Sequence, residues 1–265
     1  MVRQMGKVRA LVNQKGVVCK TTSSINLAAS LGILKRKVLL VDLDPQGNCT
    51  TGLGISKVDY KNSVYELMLD MATLEETIIK TKFKNLSILP ATINLAGIDY
   101  ELIEKSRNDP TFNRVGQLKK YLDQAKEKYD YIIIDCPPSL GSLTSNALTA
   151  ANSVLIPVQC EFFALEGIAQ LVNTILMAQK NLNPELSIEG VLLTMLDSRT
   201  CLGLEVVEDI RSYFNESVYD TIIPRLVKIS EAPSHGKPVI YYASDHKGAE
   251  AYLSLAKEVI MRNGK

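Results

Sequence analysis

The amino-acid sequence predicts an α/β protein in which helices cover both faces of a mainly parallel, twisted sheet. Two observations lead to this fold class. Short apolar runs rich in Val, Ile and Leu recur along the chain, which is typical of strands buried on both faces. Longer stretches with apolar residues every three or four positions lie between them, as in amphipathic helices. Strands that alternate with helices need crossover connections, and these favour parallel pairing.

The apolar runs place six strands in chain order, and the longer periodic stretches place four helices between them. The strands are predicted at residues 8–12, 38–41, 86–89, 131–134, 154–158 and 191–195. The helices are predicted at residues 21–34, 115–128, 165–181 and 203–214. A further helical pattern at 249–261 has one apolar face and no lysine-studded polar face, so it predicts a helix docked on the core rather than on a membrane. That face consists of Tyr252, Leu253, Ala256, Val259 and Ile260.

Length and composition bound the class of protein. The chain has 265 residues, 46% of them hydrophobic and 22% charged, so it is able to bury a sizeable core and global disorder is excluded. This length allows one or two domains, and the lack of a Ser/Gly-rich linker or an internal repeat favours a single domain over residues 1–265. No apolar run reaches the length of a membrane span, and the first residues lack the apolar centre of a signal peptide. The sequence therefore predicts a cytoplasmic protein.

Charge and cysteine usage narrow the class further. The 30 basic and 29 acidic residues leave a net charge of +1, which excludes a uniformly basic nucleic-acid binder but not a local basic patch. The cysteines form no C-x-x-C pair and no zinc-like spacing, so they are predicted to be free thiols in a reducing compartment. They are Cys19, Cys49, Cys136, Cys160 and Cys201.

The first predicted strand leads into a short loop that carries a Lys-Thr pair. Residues 13–22 read Asn-Gln-Lys-Gly-Val-Val-Cys-Lys-Thr-Thr and are followed by a helix. Backbone N–H groups and a helix N-terminus bind anions, Lys20 would neutralise phosphate oxygens, and the Thr21 hydroxyl is able to ligate Mg²⁺. The alternative is that Lys-Thr-Thr merely begins an ordinary helix.

Carboxylates follow the second and fourth predicted strands. Asp42 and Asp44 are one residue apart at a strand end, which directs them towards the crevice where open α/β sheets bind ligands, although Asp-Pro also commonly begins a turn. Asp135 ends an apolar strand, and an unpaired buried acid is costly, so we expect it to hold Mg²⁺ through a water. The neighbouring Cys136 is expected to be a packed thiol. His235 is expected to be a turn histidine, with a catalytic base as the alternative.

The loop, the two acidic strand ends and three later blocks together resemble the ParA/MinD family of P-loop ATPases, and within it the Soj-type chromosome-partitioning proteins. The family's deviant Walker A motif is Lys-Gly-Gly-x-Gly-Lys-Thr-Thr, which residues 15–22 follow with two exceptions. The later blocks lie at residues 158–167, 193–200 and 223–238, so the resemblance covers about residues 7–260. It implies a P-loop NTPase that uses ATP and Mg²⁺.

The resemblance implies a role for each matching position. The residues implied in catalysis are Lys15, Lys20 and Asp44: Lys15 would reach the phosphates of a partner subunit and Asp44 would orient the attacking water. Mg²⁺ would be bound by Thr21, Asp42 and Asp135. The nucleotide would be bound by Lys15, Gly16, Val17, Val18, Cys19, Lys20, Thr21 and Thr22, with Glu161 near the partner's ribose and Pro224 beside the adenine.

Val17 and Cys19 stand where the family has its second and third glycines. Glycine allows positive φ and close approach of the backbone to phosphate, and a β-branched residue suits such a conformation poorly. A misfit residue costs about 1–3 kcal/mol of strain. The sequence therefore predicts that ATP affinity is much weakened or lost while the fold survives.

The resemblance also implies partners: non-specific DNA, a ParB-type protein that triggers hydrolysis, and a second copy of the chain when ATP is bound. A basic patch would supply the DNA affinity. Its candidates are Arg199, Arg225, Lys228, Lys237 and Lys247, each of which is alternatively a solvated surface charge. The sequence is expected to be of the short Soj type rather than of the three alternatives in the family: plasmid-type relatives with a DNA-reading extension, MinD-like relatives with a membrane helix and iron-protein relatives with paired cysteines.

Two functions from different classes therefore follow from the sequence. The first is a nucleoid-associated Soj/ParA-type ATPase that cycles between an ATP-bound dimer on DNA and a free monomer. The second is a non-enzymatic DNA- or protein-binding chain whose nucleotide switch is disabled by Val17 and Cys19.

Overall fold

The computed structural model describes residues 5–16, 18–161 and 164–263, and these build one seven-stranded sheet with helices on both faces. The strands are β1 (Lys7–Leu11), β2 (Val38–Asp42), β3 (Ile79–Lys80), β4 (Leu86–Leu89), β5 (Tyr131–Asp135), β6 (Ser153–Gln159) and β7 (Ser187–Thr194). The helices are α1 (Lys20–Ile33), α2 (Asn48–Gly52), α3 (Val64–Met68), α4 (Leu74–Thr77), α5 (Ile98–Asn108), α6 (Gln117–Ala125), α7 (Ser142–Ala150), α8 (Ala164–Asn181), α9 (Cys201–Phe214), α10 (Val227–Glu231), α11 (Val239–Tyr242) and α12 (Lys247–Asn263).

The strand order is β3-β4-β2-β5-β1-β6-β7. All neighbouring strands are parallel except β3, which pairs antiparallel with β4 at one edge. The central strands β2, β5 and β1 are buried almost throughout, which agrees with their continuous apolar sequences. The predicted fold class, a mainly parallel sheet with helices on both faces, is confirmed.

Alternate residues of the central strands face two separate apolar layers. On β5, Ile132 and Ile134 join the layer covered by α3 and α5 to α9, whereas Tyr131 and Ile133 join the layer covered by α1, α2 and α10 to α12. The two-residue period of a strand produces this division. Since both layers are apolar, the strands read as unbroken hydrophobic runs in the sequence.

All six predicted strands are present, and the main differences lie at their edges. β7 begins at Ser187, four residues before the predicted start. Its first residues are partly exposed and include the polar Ser187 and Glu189, so they lie outside the apolar run on which the prediction was based. The edge strand β3 was not predicted, since it has only two residues and no apolar period. Several short helices also escaped prediction; those beginning after Ser63 and Thr73 carry capping boxes, with Glu66 and Glu76 at the third helical position.

The last helix, α12, docks on the core as predicted. Tyr252, Leu255, Ala256 and Val259 are buried, and the Tyr252 hydroxyl lies 3.3 Å from the Ser23 hydroxyl on α1. Among the residues that the structure describes, no helix combines the length and the hydropathy that a membrane crossing requires. The five cysteines form no disulfide, as predicted.

Gly32 provides a test of the packing between α1 and the turn that precedes β4. A Cβ atom at Gly32 would overlap the backbone carbonyl oxygen of Lys84, which has no flexible end to move aside. Alanine gains about 1 kcal/mol over glycine in a helix, but forcing the backbone apart costs about 1–3 kcal/mol. We therefore expect Gly32→Ala to lower the free energy of unfolding by up to about 2 kcal/mol in urea denaturation. Gly97→Ala, where a Cβ would meet nothing within 4 Å, is the matched control and should change it by less than about 0.5 kcal/mol; equal effects at both positions would contradict the packing argument.

Candidate functional site

The candidate site lies where β1, β2 and β5 end at the carboxyl edge of the sheet. The register of β2 and β5 pairs Asp42 with Asp135, and that of β1 and β5 pairs Leu11 with Asp135. The loop between β1 and α1 starts at the same edge, so the loop and both acids are neighbours. Ligands of open α/β sheets bind in this crevice.

Lys20 is the first residue of α1 and turns back over the loop. Its ammonium donates to the Lys15 carbonyl oxygen at 2.8 Å, and Lys20 is only 4% exposed. Burial lowers the Lys20 pKa, while the charges of Asp135 and Asp44 oppose this shift. A buried ammonium beside an exposed loop is placed to meet an anion that lies on the loop.

The start of the loop is tied to β6. The Asn13 side chain donates to the Pro157 carbonyl at 2.7 Å and accepts from the Lys15 N–H at 2.9 Å. The Thr194 hydroxyl lies 3.3 Å from the Val18 carbonyl, which it approaches as a donor. Gly16 is exposed, whereas Val18 is buried, and Val17 lies outside the described residues. The loop is therefore anchored on both sides of its exposed tip.

Cys19 adopts the backbone conformation that the family's third glycine would adopt without strain. Its φ is 58° and its ψ is 30°, in the left-handed region, and its side chain makes no capping hydrogen bond to α1. For a residue with a Cβ this conformation costs about 1–2 kcal/mol. Because the chain already has this φ here, the backbone strain at Cys19 is a cost of folding. Any cost to ligand binding must come from the bulk of the Cβ and sulfur.

Asp135 is buried among donors from two helices. Its carboxylate accepts from the Thr21 hydroxyl at 2.8 Å, the Ser24 hydroxyl at 2.8 Å and the Cys49 thiol at 3.3 Å. Burial raises the Asp135 pKa, and these hydrogen bonds act in the opposite direction. Ser24 and Cys49 were not predicted as site residues, although Ser24 follows Thr21 by one helical turn and so faces the same side of α1.

Asp42 is held by one residue of α2. The Thr50 N–H and hydroxyl both donate to the same Asp42 carboxylate oxygen, at 2.8 and 2.7 Å. Burial and the adjacent Asp135 raise the pKa of Asp42 to about 7. Thr50 itself was missed by sequence reasoning, because only the folded chain brings α2 under the end of β2.

The donor set around these acids fits a hard divalent cation. Ligand atoms of Asp42, Cys49 and Asp135 all lie within 4.8 Å of one another, and the Thr21 hydroxyl contacts Asp135. Mg²⁺ prefers carboxylate and hydroxyl oxygens, whereas the Cys49 sulfur is a soft donor that it disfavours. The three residues predicted for the metal, Thr21, Asp42 and Asp135, are thus brought together.

Asp44 differs from Asp42 in its surroundings. It is half-buried, and its carboxylate accepts from the Gln46 N–H at 2.9 Å while its carbonyl accepts from the Gly47 N–H at 2.9 Å. The turn that was the alternative interpretation of Asp-Pro is therefore present. Asp44 is still close enough to Lys20 to affect its pKa, so the turn carries this acid at the edge of the site.

The later candidates lie around the rim of the loop. The Lys15 side chain packs on α8, where a Cβ at Gly167 would lie 3.2 Å from its Cε. Glu161 is exposed at the end of β6, and Pro224 is half-buried and bridges to Leu196. Thr22 is the third residue of α1, and its carbonyl accepts from the Asn26 amide at 2.8 Å.

The five predicted basic residues are exposed, but three of them already have acidic partners. Arg199 makes two hydrogen bonds to Asp197, Arg225 contacts Glu161 at 3.2 Å, and Lys228 contacts Glu231 at 2.9 Å. Over residues 5–16, 18–161 and 164–263, Lys237 and Lys247 form no ion pair. The free cationic surface is therefore smaller than the sequence suggested.

His235 lies near this surface in a short 3₁₀ helix, Ala232–His235. Its ring stacks on Tyr242, with centroids 4.7 Å apart. This contact agrees with the structural histidine that was expected. Cys136 is 1% exposed, as expected for a packed residue. Burial raises the pKa of its thiol, which favours the neutral form.

A buried ion pair at the opposite edge of the sheet was not predicted. The Arg9 guanidinium, fully buried on β1, contacts Glu189 on β7 at 2.6 Å, and Ser153 and Tyr219 also donate to Glu189. Burial opposes ionisation of Glu189, yet the Arg9 charge and these hydrogen bonds keep its pKa below the ordinary value. The pair joins the two strands that flank β6. Arg9 lies inside a run predicted to be a buried strand, but nothing in the sequence identifies Glu189 as its partner.

The raised pKa of Asp42 predicts a pH dependence in the absence of divalent cations. The folded state holds a proton on Asp42 up to about pH 7, whereas the unfolded state releases it near pH 4. The contribution of Asp42 to the free energy of unfolding is therefore fully present below pH 4 and is lost as the pH rises towards 7. We expect the free energy of unfolding in EDTA to fall by roughly 2 kcal/mol between pH 5 and 8 through this group. Asp42→Asn should remove that part of the pH dependence, and an unchanged pH profile in the variant would contradict the assignment.

Comparison with known proteins identifies the family. A family profile described as an AAA domain matches residues 6–188. The chain is 57% identical over 255 residues to the sporulation initiation inhibitor protein Soj of Bacillus subtilis, covering 96% of this chain and 98% of that one. It is 48% identical over 259 residues to the chromosome partitioning protein ParA of Myxococcus xanthus, covering 98% and 89%.

A solved structure gives the same fold. The crystal structure of cobyrinic acid a,c-diamide synthase from Mycobacterium smegmatis with bound ADP and magnesium superimposes with a TM-score of 0.84 at 36% identity, covering 98% of this chain and 97% of that one. The relatives together support a role as a partitioning ATPase. The chain is therefore a member of the ParA/MinD family of ATPases, and its sequence groups it with the Soj-type chromosome-partitioning proteins.

Proposed function

We propose that the chain is a DNA-partitioning ATPase that binds ATP and Mg²⁺ at the carboxyl edge of β1, β2 and β5. The observation that carries this proposal is the convergence of Lys20, Asp42 and Asp135 beside one loop, with the Thr21 hydroxyl on Asp135. A lysine, a hydroxyl and two carboxylates at a helix N-terminus are the groups that phosphoryl transfer needs for positioning and charge neutralisation.

Each residue of this group has a distinct task. Lys20 exchanges the Lys15 carbonyl for a phosphate oxygen, and Thr21, Asp42 and Asp135 hold Mg²⁺. When bound, the cation neutralises charge that develops on the phosphate oxygens. Asp44 orients the attacking water from its turn at the rim. Gly16, Val18 and Thr22 supply backbone contacts to the phosphates. Val17, which the sequence also assigned to the nucleotide, lies outside the described residues.

A homodimer completes the site in this proposal. Lys15 leaves its position against α8 and reaches the phosphates of a second copy, where Glu161 approaches the ribose. Pro224 lies beside the adenine. The support for these three assignments is their position around the loop rim together with the resemblance to the family.

The ATP affinity of this chain is proposed to be weak. At Cys19 the side chain occupies the space where a glycine would leave the backbone open to phosphate, and the thiol is half-buried against the loop. Since the strained φ is already adopted, the loss at this position is steric. Val17 adds a β-branched side chain at the neighbouring glycine position.

The proposed partners are non-specific DNA and a ParB-type protein that stimulates hydrolysis, in a cytoplasmic and nucleoid-associated setting. Support for DNA binding comes from the adjacency of two basic segments. The Arg225 N–H donates to the Leu196 carbonyl at 2.9 Å, which brings Arg225 alongside the turn that carries Arg199. The exposed Lys237 and Lys247 lie later in the chain and carry no acidic partner among the described residues.

A second candidate function rests on Cys19. If the side chain at this left-handed position closes the loop to phosphate, the chain is a DNA- or protein-binding member of the family without a nucleotide cycle. The two functions differ in one measurable quantity, the turnover of ATP.

Restoration of the glycines tests the loop. We expect wild-type ATP binding weaker than low micromolar in calorimetry. Val17→Gly/Cys19→Gly should tighten it by about 5- to 150-fold, because relief of steric overlap is worth about 1–3 kcal/mol. DNA-stimulated ATP hydrolysis should rise in parallel. Cys19→Gly alone should also raise the free energy of unfolding by about 0.5–1 kcal/mol, because glycine relieves the strained φ at some entropic cost. Cys19→Ala keeps the Cβ and is the matched control, without that gain. Equal turnover in the wild type and the restored variant would show that the loop tolerates both side chains.

The salt dependence of DNA binding tests the basic surface. Contacts from three to five cations predict a slope of log affinity against log salt of about −3 to −5. Lys237→Gln/Lys247→Gln should make this slope shallower by about 2, because two unpaired cations are removed. Lys119→Gln/Lys120→Gln on α6 removes the same charge from the other face of the sheet and should leave the slope unchanged. A flat salt response of the wild-type chain would argue against the surface as a whole.

A further inference from the structure

The contact between Arg225 and Glu161 joins two residues that the proposed function assigns to different ligands. Arg225 belongs to the DNA surface and Glu161 to the nucleotide, yet the Arg225 Nη2 lies 3.2 Å from the Glu161 Oε1 within a single chain. An arginine that is neutralised by a carboxylate is less available to a phosphate group of DNA. The two assignments therefore compete in this structure.

This ion pair differs from the other two on the basic surface in the sequence separation of its partners. Arg199 pairs with Asp197, two residues away, and Lys228 pairs with Glu231, three residues away, so each of these pairs moves as one segment. Glu161 is 64 residues from Arg225 and follows β6, whereas Arg225 precedes α10. A pair between separate segments is able to open when either segment shifts.

The geometry of the Arg225 contact is also weaker. Arg199 engages Asp197 through two parallel hydrogen bonds at 2.8 and 2.7 Å, which is the strong two-pronged arrangement. Arg225 engages Glu161 through one nitrogen, and the same Glu161 oxygen also accepts from the Gln159 amide. The side chains are 51% and 60% exposed. An exposed pair of this kind is worth little in free energy, so another anion is able to displace it.

The pair lies next to the phosphate loop. Glu161 shares a recess with Asn13, Lys15 and Val18, and the charge of Arg225 lowers the pKa of the Cys19 thiol against the larger effect of burial. Arg225 is thus within electrostatic reach of both the loop and the neighbouring Asp197. A change in the charge at the loop would be felt at this pair.

We propose that Glu161 acts as an intramolecular brake on DNA binding, by occupying Arg225 in the nucleotide-free chain. This inference rests on the proposed DNA-binding function. The brake is a competition between one carboxylate and the DNA phosphates for the same guanidinium. Its position beside the phosphate loop makes it the point at which the state of the loop affects the DNA surface.

The test measures the affinity of the nucleotide-free chain for a short DNA duplex at several salt concentrations. Glu161→Gln should tighten binding about two- to fivefold and steepen the salt slope by about 1, since one more phosphate is neutralised. Arg225→Gln should weaken binding, and Glu161→Gln/Arg225→Gln should bind as Arg225→Gln does, because the brake acts only through Arg225. Glu231→Gln is the matched control: it removes the same charge from the same surface, and its effect should persist in the Arg225→Gln background.

The outcomes separate this inference from the function on which it rests. If Glu161→Gln binds DNA like the wild type while Arg225→Gln weakens binding, the brake is wrong and the DNA surface stands. If Glu161→Gln tightens binding equally with and without Arg225, the carboxylate acts by general repulsion and the brake is again wrong. If neither the wild type nor any variant binds DNA without nucleotide at 50 mM salt, roughly the low end at which phosphate contacts are strongest, the brake is wrong, because freeing Arg225 then restores nothing. The proposed DNA function fails only if the ATP-loaded chain does not bind DNA either. All the altered side chains are exposed, and thermal unfolding would verify that each variant is folded.

Discussion

The burial of two carboxylates side by side is the constraint on which the rest of the site depends. The parallel register of β2 and β5 ends both strands on an aspartate, so Asp42 and Asp135 are forced together out of contact with water. Such a pair persists only where donors or a cation surround it. Thr50, Thr21, Ser24 and Cys49 supply donors from α1 and α2. The ends of these helices are therefore fixed by the needs of the acids as much as by the apolar layer beneath them.

The phosphate loop shows how one substitution divides its cost between folding and binding. The chain retains the left-handed turn at Cys19 although a Cβ is unfavourable there. The hydrogen bond of Lys20 on one side, and the ties of Asn13 to β6 and of Val18 to β7 on the other, leave the loop little freedom. The strain is thus carried by the folded protein whether or not a ligand is present. What remains for the ligand is the volume of the side chain. This explains how the family fold persists in a chain that departs from the family motif.

The basic surface illustrates why a count of cations overstates a patch. Residues that look alike in the sequence differ in their acidic neighbours, and three of the five are paired. Two pairings join residues close in sequence, whereas the pairing of Arg225 with Glu161 depends on how the segments after β6 and β7 adjoin. A nearly neutral chain is thereby able to expose several cations, some of which are paired with neighbouring carboxylates. Arg9 is paired as well: its buried guanidinium lies 2.6 Å from Glu189.

Six of the seven strands, their parallel pairing and the residues of the phosphate loop could be predicted from the sequence, because continuous apolar runs and a Lys-Thr pair after a strand are local signals. The sequence also determined which strands end in acids. Three features were visible only in the folded chain: Asp42 lies beside Asp135, Thr50 and Cys49 donate hydrogen bonds to these acids, and Arg225 contacts Glu161. These facts depend on strand order and on the path of short helices, which arise from contacts between residues distant in the chain. Periodicity reports which face of an element is buried and carries no record of what lies against it.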